Sequence, residues 1–365
     1  MYKLPGQEEI LFYMLYAGAA VLSLIACCYL LLRRGNAFAP DITPPVRLRR
    51  WTAALFAAMS LSHMVYLPGI FLTSDDDILL CNLTGGLLDS MTVIPFAIIV
   101  LLCMLQDRKR PLWPVALIVA PLVVGLATCV VSRSDALLPM VHDYLMVMGC
   151  GFLIYMVREV RRYGRWLRDN YADLEHKEVW QSFSVQAAIV LLLGFYAFGI
   201  SLGLLYEYIV QIINIVFICY FLWRVETLSD LNIPQSLAVQ EETAVTGEQT
   251  SYDQIGSLLQ QHCIDAQLYL QHDLTISQLA KAIGTNRSYL SQYFSRQDTT
   301  YNAYINNLRI NHFVRLYREA TAAQRSFTTK QLAHSSGYRS YSTFTLAFKQ
   351  RMGKNVTAWI SDSTE

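Results

Sequence analysis

Apolar runs of about 20 residues, the length a helix needs to cross the hydrocarbon core of a bilayer, recur through the first three fifths of this 365-residue chain. Ile10 to Leu32 and Leu112 to Val131 hold no charged residue. Trp51 to Leu72 holds only His63, Leu87 to Leu105 only Asp89, and Ala136 to Val157 both His142 and Asp143. Phe183 to Trp223 carries Glu207 as its only charge and is too long for one span, so it reads as two helices with a tight turn near Ser201 to Gly203. Together these runs predict seven spans. With 54% hydrophobic and 16% charged residues, against roughly 25% charged in ordinary soluble chains, the composition argues against a wholly soluble protein. Cys27, Cys28, Cys103, Cys150 and Cys219 lie inside the runs and read as small buried hydrophobes. The first run has no basic region before it and arginines after it, which predicts a retained span, not a cleaved signal. Pro68, Pro95 and Pro121 are expected to kink their helices.

Basic residues orient such a bundle. Arg33, Arg34, Arg47, Arg49 and Arg50 follow the first span, Arg108, Lys109 and Arg110 the third, and Arg158, Arg161, Arg162, Arg165, Arg168 and Lys177 the fifth. The alternate loops carry Asp75, Asp76 and Asp77, or Arg133 beside Asp135, or almost nothing. The expected arrangement is a multi-pass protein of the cytoplasmic membrane, with its N-terminus outside and its C-terminus in the cytoplasm. The basic, aromatic stretch from Val157 to Phe183 reads either as an interfacial amphipathic helix or as a positively charged inner loop.

The composition then changes. Residues 226–253 are polar, acidic and rich in Ser and Thr, which predicts a flexible linker between a membrane domain (1–225) and a soluble helical domain (254–365). The last domain has twelve basic and six acidic residues, a surplus of +6 that suits a polyanionic partner. It also contains a repeat: Thr275, Gln278, Leu279, Ala280 and Gly284 recur 53 residues on as Thr328, Gln331, Leu332, Ala333 and Gly337. Thr with Gln three residues later is a capping box, Leu and Ala face inward, and Gly supplies the left-handed turn that ends the helix. A second short helix is expected after each Gly, over Asn286 to Arg296 and Ser340 to Arg351. Helix, tight turn and helix make a helix-turn-helix unit, and the fold class expected is all-α, a polytopic bundle followed by a double helix-turn-helix domain.

Residues 254–360 resemble the C-terminal DNA-binding domain of AraC/XylS-type transcription regulators of bacteria. Besides the repeat, the likeness rests on Tyr304-Ile305-Asn306-Asn307-Leu308-Arg309-Ile310 and on Gly337-Tyr338, Phe344, Phe348-Lys349, Gly353 and Trp359. The sequence departs from the family at Val356, where Pro is usual, and at Phe313, where Ala is usual. The resemblance implies two recognition helices in successive major grooves of double-stranded DNA. The first would present Asn286, Arg287, Ser288, Ser291 and Gln292, the second Arg339, Ser340, Tyr341, Ser342 and Thr345. Gln suits adenine, and Arg suits guanine or phosphate. Tyr289, Leu290, Phe294, Phe344 and Phe348 belong to the core, and Leu346 stands where a polar reader is common.

The resemblance stops short of the first 225 residues. His63, Asp89, His142, Asp143 and Glu207 are candidates there for sensing an ion or small-molecule signal, because ionisable groups inside a membrane are costly; span ends in headgroup water and polar helix packing are the other readings of them. There is no phosphate-binding Gly loop and no zinc-type Cys/His spacing, so neither an enzyme nor a cofactor is expected. The partners expected are DNA, the lipid bilayer, a signal and a second copy of the chain in a homodimer. A transporter or receptor whose cytoplasmic domain contacts proteins is the alternative from another class, and a passive anchor is a third reading.

Overall fold

The structure, a computed structural model, describes residues 7–33, 36–40, 42–185, 187, 204–231 and 252–364. All regular elements among them are helices, and the chain divides into two compact units, residues 1–163 with 179–232 and residues 164–178 with 233–365.

In the first unit, α1 (Gln7–Leu32) packs on α2 (Val46–Tyr66), α2 on α4 (Val93–Met104), and α3 (Asp75–Met91) on α5 (Trp113–Ser132). α6 is Leu138–Asn170, and α7 (Leu204–Thr227) returns against α1. Asp75, Asp76 and Asp77 form the first turn of α3, where acids complement the positive end of the helix dipole. The run expected from Leu87 thus begins twelve residues earlier. The three prolines act differently. Pro68 lies in a 3-10 turn that ends α2, and Pro95 lies one turn past Thr92, where α3 breaks into α4. Pro121 lies within an uninterrupted α5.

Five helical stretches among the described residues, Ile10–Leu32, Asp75–Met104, Trp113–Ser132, Leu138–Asn170 and Tyr208–Thr227, are long and apolar enough to cross a membrane. Only 28% of the most apolar window of the first is buried. Outward-facing Ile25, Leu31, Val124 and Val131 would form apolar patches that a soluble monomer avoids, so these helices are compatible with a membrane domain. The turn expected near Ser201 to Gly203 lies outside the described residues.

Charged groups fasten one end of this unit. The Arg110 guanidinium donates to Glu159 (2.7 Å), Asp107 (2.8 Å) and the Leu105 carbonyl (2.8 Å), and Arg108 donates to the same Glu159. Glu226, fully buried, pairs with Arg49 at 2.9 Å. Beyond it, Leu228 and Leu231 are buried, and the Asp230 N–H donates to the Thr43 carbonyl. The first residues of the expected linker are therefore packed, because Leu228 and Leu231 bury apolar surface; residues 232–251 lie outside the described residues.

The second unit has two cores on one spine. α8 (Tyr252–Leu259) and the first helix-turn-helix, α9 (Ile276–Ala282) with α10 (Arg287–Arg296), bury Ile255, Leu259, Leu279, Leu290 and Phe294. The second, α12 (Thr329–Ser335) with α13 (Tyr341–Met352), is closed by α14 (Val356–Thr364) and buries Ala333, Phe344, Phe348 and Trp359. Between them α11 (Tyr301–Ala322) gives Tyr301 and Ile305 to the first core and Ile310, Phe313 and Tyr317 to the second. Phe313, at a position where the resembled family favours Ala, fills the second core with its ring 4.5 Å from Phe344 and 5.7 Å from Phe348. Val356 is buried in the same core.

Truncating that ring leaves a cavity, and Phe→Ala changes in cores cost about 3–5 kcal/mol. Phe313→Ala should lower the stability of α11 to α14 by that amount in the full chain, while Lys349→Ala, on an exposed position, should change it by less than about 0.5 kcal/mol. Hydrogen exchange of the peptides covering these helices checks both.

Candidate nucleic-acid interface

Local sequence sets the start of the supporting helix of each pair. In the first copy of the repeat, the Thr275 N–H donates to Gln278 Oε1 (2.8 Å) and the Gln278 N–H to Thr275 Oγ1 (3.3 Å). In the second, the Thr328 N–H donates to Gln331 Oε1 (2.9 Å) and the Gln331 N–H to Thr328 Oγ1 (3.2 Å). Both capping boxes are complete, so both supporting helices start at the repeated Thr. They end at glycines with φ of +72° (Gly284) and +89° (Gly337). Gly337 is also sterically required, because a Cβ there would lie 2.9 Å from the Leu270 backbone and 3.1 Å from Arg309 Nε.

Each recognition helix is capped in turn. Asn286 Oδ1 accepts from the Tyr289 N–H (2.9 Å) and Ser340 Oγ from the Thr343 N–H (3.3 Å). These two side chains, assigned to DNA by resemblance, have cap bonds that hold the ends of α10 and α13. On α10, Ser288 and Gln292 are exposed one turn apart, while Arg287 and Ser291 are half-buried. On α13 and just before it, Arg339, Tyr341 and Ser342 are exposed and Thr345 is half-buried. Leu290, Phe294, Phe344 and Phe348 are buried as expected; Tyr289 is only half-buried, and Tyr293 packs against the first core instead. Leu346 is 60% exposed beside this polar set, an apolar surface suited to a thymine methyl group.

Not every basic residue of this unit faces solvent. Arg309 is 1% exposed, donating from Nε to the Tyr269 carbonyl (2.7 Å) and from NH2 to the Gln271 (2.6 Å) and His272 (3.2 Å) carbonyls, over the Tyr338 ring at 5.5 Å. Burial pushes its pKa below the ordinary arginine value, yet three carbonyls and a ring face suit the charged form. Arg309 is thus a tie between the two cores, and the surface surplus is correspondingly smaller. Burial and then the neighbouring Arg315 lower the pKa of His312. Its Nδ1 lies 2.9 Å from the Tyr269 hydroxyl. Arg339 lies 3.5 Å from Asp273.

Two of the candidate sensing residues meet in the first unit. His63 Nδ1 is 2.7 Å from the Met59 carbonyl and its Nε2 is 3.2 Å from Gln211 Oε1, with the Tyr16 ring at 4.7 Å. Next to this group the Tyr66 hydroxyl donates to Asp89 (3.2 Å), its ring lying over Gly85, where a Cβ would be 2.3 Å away. Tyr16, Tyr66 and Gln211 were not legible as partners, since none is charged. His142 and Asp143 are exposed on the first turns of α6. His142 lines an apolar cavity of about 690 Å³ with Met59, Phe152 and Asn214. Glu207 lies in α7, with its side chain outside the described residues.

Two capped helix pairs, each ending in a helix with an exposed polar face, define a DNA-binding helix-turn-helix domain. Residues 279–361 match the family model described as a helix-turn-helix domain. The match takes in both recognition helices and the spine between them, and it supports a DNA-binding transcription regulator of the AraC type. No curated protein and no solved structure matches the chain.

If Gln292 reads a base, Gln292→Ala should weaken the preferred site by about 1–3 kcal/mol and relax preference at one base pair. Lys349→Ala should lower binding to all sequences alike. A protein-binding microarray separates the two, and an unchanged sequence logo for Gln292→Ala would place the base-reading face of α10 elsewhere.

Proposed function

We propose that this protein is a transcription regulator embedded in the bacterial cytoplasmic membrane. Its first unit spans the bilayer seven times with the N-terminus outside. Its second unit reads specific DNA through α10 and α13. The observation that carries this reading is the pair of capped recognition helices, with polar side chains kept on both, in a chain whose other unit is made of apolar helices. The polar recognition faces argue against a transporter or receptor whose cytoplasmic domain contacts only proteins.

The group around His63 and Asp89 is where we propose a signal acts. Buried and half-buried polar side chains on α1, α2, α3 and α7 there tie four helices by bonds that an ion, a proton or a small polar molecule can exchange. A signal that favours one arrangement of the bundle would alter the pairing or orientation of the DNA-binding units of two copies.

DNA affinity of the full chain in phospholipid nanodiscs should fall steeply with salt, as counterion release requires, while preference for one sequence over random duplex persists. Equal binding to all duplexes at every salt concentration would contradict sequence-specific regulation. Reporter fusions at Asp76 and Glu248 should report opposite compartments, outside and cytoplasmic; the same compartment for both would overturn the span count.

A further inference from the structure

The second unit contains a piece of chain far from the rest of it in sequence, residues 164–178. This is the end of α6 and the eight residues after it, which sequence alone read as an inner loop or an interfacial helix. It is neither. Ala172 is 1% exposed within the first core of the DNA-binding unit. Its N–H donates to the Leu274 carbonyl (3.3 Å), and Tyr171 forms an antiparallel bridge with Thr275, the cap residue of α9. On the spine, Asn302 Nδ2 donates to the carbonyls of Tyr171 (3.1 Å) and Ala172 (2.7 Å).

With its backbone so held, the segment carries acids to both recognition helices. The Asp173 side chain accepts from the Glu175 N–H (2.9 Å), a local turn that aims Glu175. Glu175 Oε2 then accepts from Thr343 Oγ1 (3.0 Å), and its Oε1 lies 3.5 Å from Ser342 Oγ, in the first turn of α13. Asp169 shares a cleft with Ser291 and Ser295 of α10. Residues 169–178 hold Asp169, Asp173, Glu175 and Glu178 against a single Lys177. A carboxylate that accepts hydroxyl bonds at the start of a recognition helix occupies the kind of place a DNA phosphate takes.

We propose that residues 169–178 are a built-in brake: an acidic segment that lies on the DNA-reading face in place of the phosphate backbone and must leave before α13 enters the major groove. This rests on the DNA-binding reading above. The segment is the direct continuation of α6, which at 1.5 Å per residue is about 50 Å long, longer than the roughly 30 Å hydrocarbon core. A turn or shift of α6 therefore moves Asp169 and Glu175 without passing through residues 232–251. The brake provides a second route from membrane to DNA beside the linker.

The test uses the full chain in nanodiscs and a fluorescent duplex enriched by that chain from a random 40-bp pool, read by anisotropy. Removing the charges without changing shape, in the double variant D169N/E175Q, should tighten DNA binding roughly tenfold, the scale of losing one or two charge-assisted hydrogen bonds from the competing state. A cysteine pair, E175C with T343C, should weaken binding when oxidised and regain it on reduction. If the double variant melts like the wild type yet binds DNA equally or more weakly, the segment is only a structural part of the domain and the brake is wrong. DNA binding unaffected by a formed 175–343 disulfide overturns it as well. If neither the wild type nor any variant binds any duplex, the DNA-binding reading itself fails, and the brake with it.

Discussion

Arg309 projects from the one helix that belongs to both cores of the second unit, and its guanidinium is almost wholly removed from water. A buried charge without partners would cost several kcal/mol. Here the carbonyls of Tyr269, Gln271 and His272 take up its donors, and Tyr338 covers its face. Those carbonyls come just before the first helix-turn-helix, and Tyr338 lies in the turn of the second. The contact therefore fixes the two halves against each other, and Gly337 is bare of a side chain because the Leu270 backbone and Arg309 stand where a Cβ would go. The proposed reading of successive grooves needs a fixed spacing between α10 and α13, and α11 with Arg309 holds the two halves together in a way that suits it.

Constraints in the first unit are of another kind. Its helices turn much of their apolar surface outward, so their polar contacts stand out. Among the described residues two groups of them join several helices: the Arg110–Glu159–Arg108 group with Glu226 and Arg49, and the His63, Gln211, Tyr66 and Asp89 group. Polar bonds between apolar helices have only a few alternative partners, so such groups suit a bundle with a small number of discrete arrangements.

What could be read from the sequence was what is local. The capping boxes and the glycine turns act over three to ten residues, and the repeat displayed them twice. The apolar runs gave the helices of the first unit, although α3 begins earlier than the run suggested because Asp75 to Asp77 are helix-starting acids as well as loop residues. Contacts distant in sequence were not legible. Arg309 counted as one more surface cation, since nothing near it in sequence announces carbonyl partners 37 to 40 residues away. Tyr289 and Tyr293 differ in burial only through the exact facing of α10. Ala172 in the core of a domain that starts some eighty residues later has no signature in composition or periodicity; only packing brings it there.

Genome-wide chromatin immunoprecipitation of the full-length protein, expressed at its native level, reads out directly whether a chain built on apolar helices reads DNA from the membrane. Discrete peaks sharing a motif with two parts about one helical turn, 10–10.5 bp, apart are expected, and they should be lost when Arg309 is replaced by Ala. Enrichment no greater than that of an untagged control across the whole genome would contradict it.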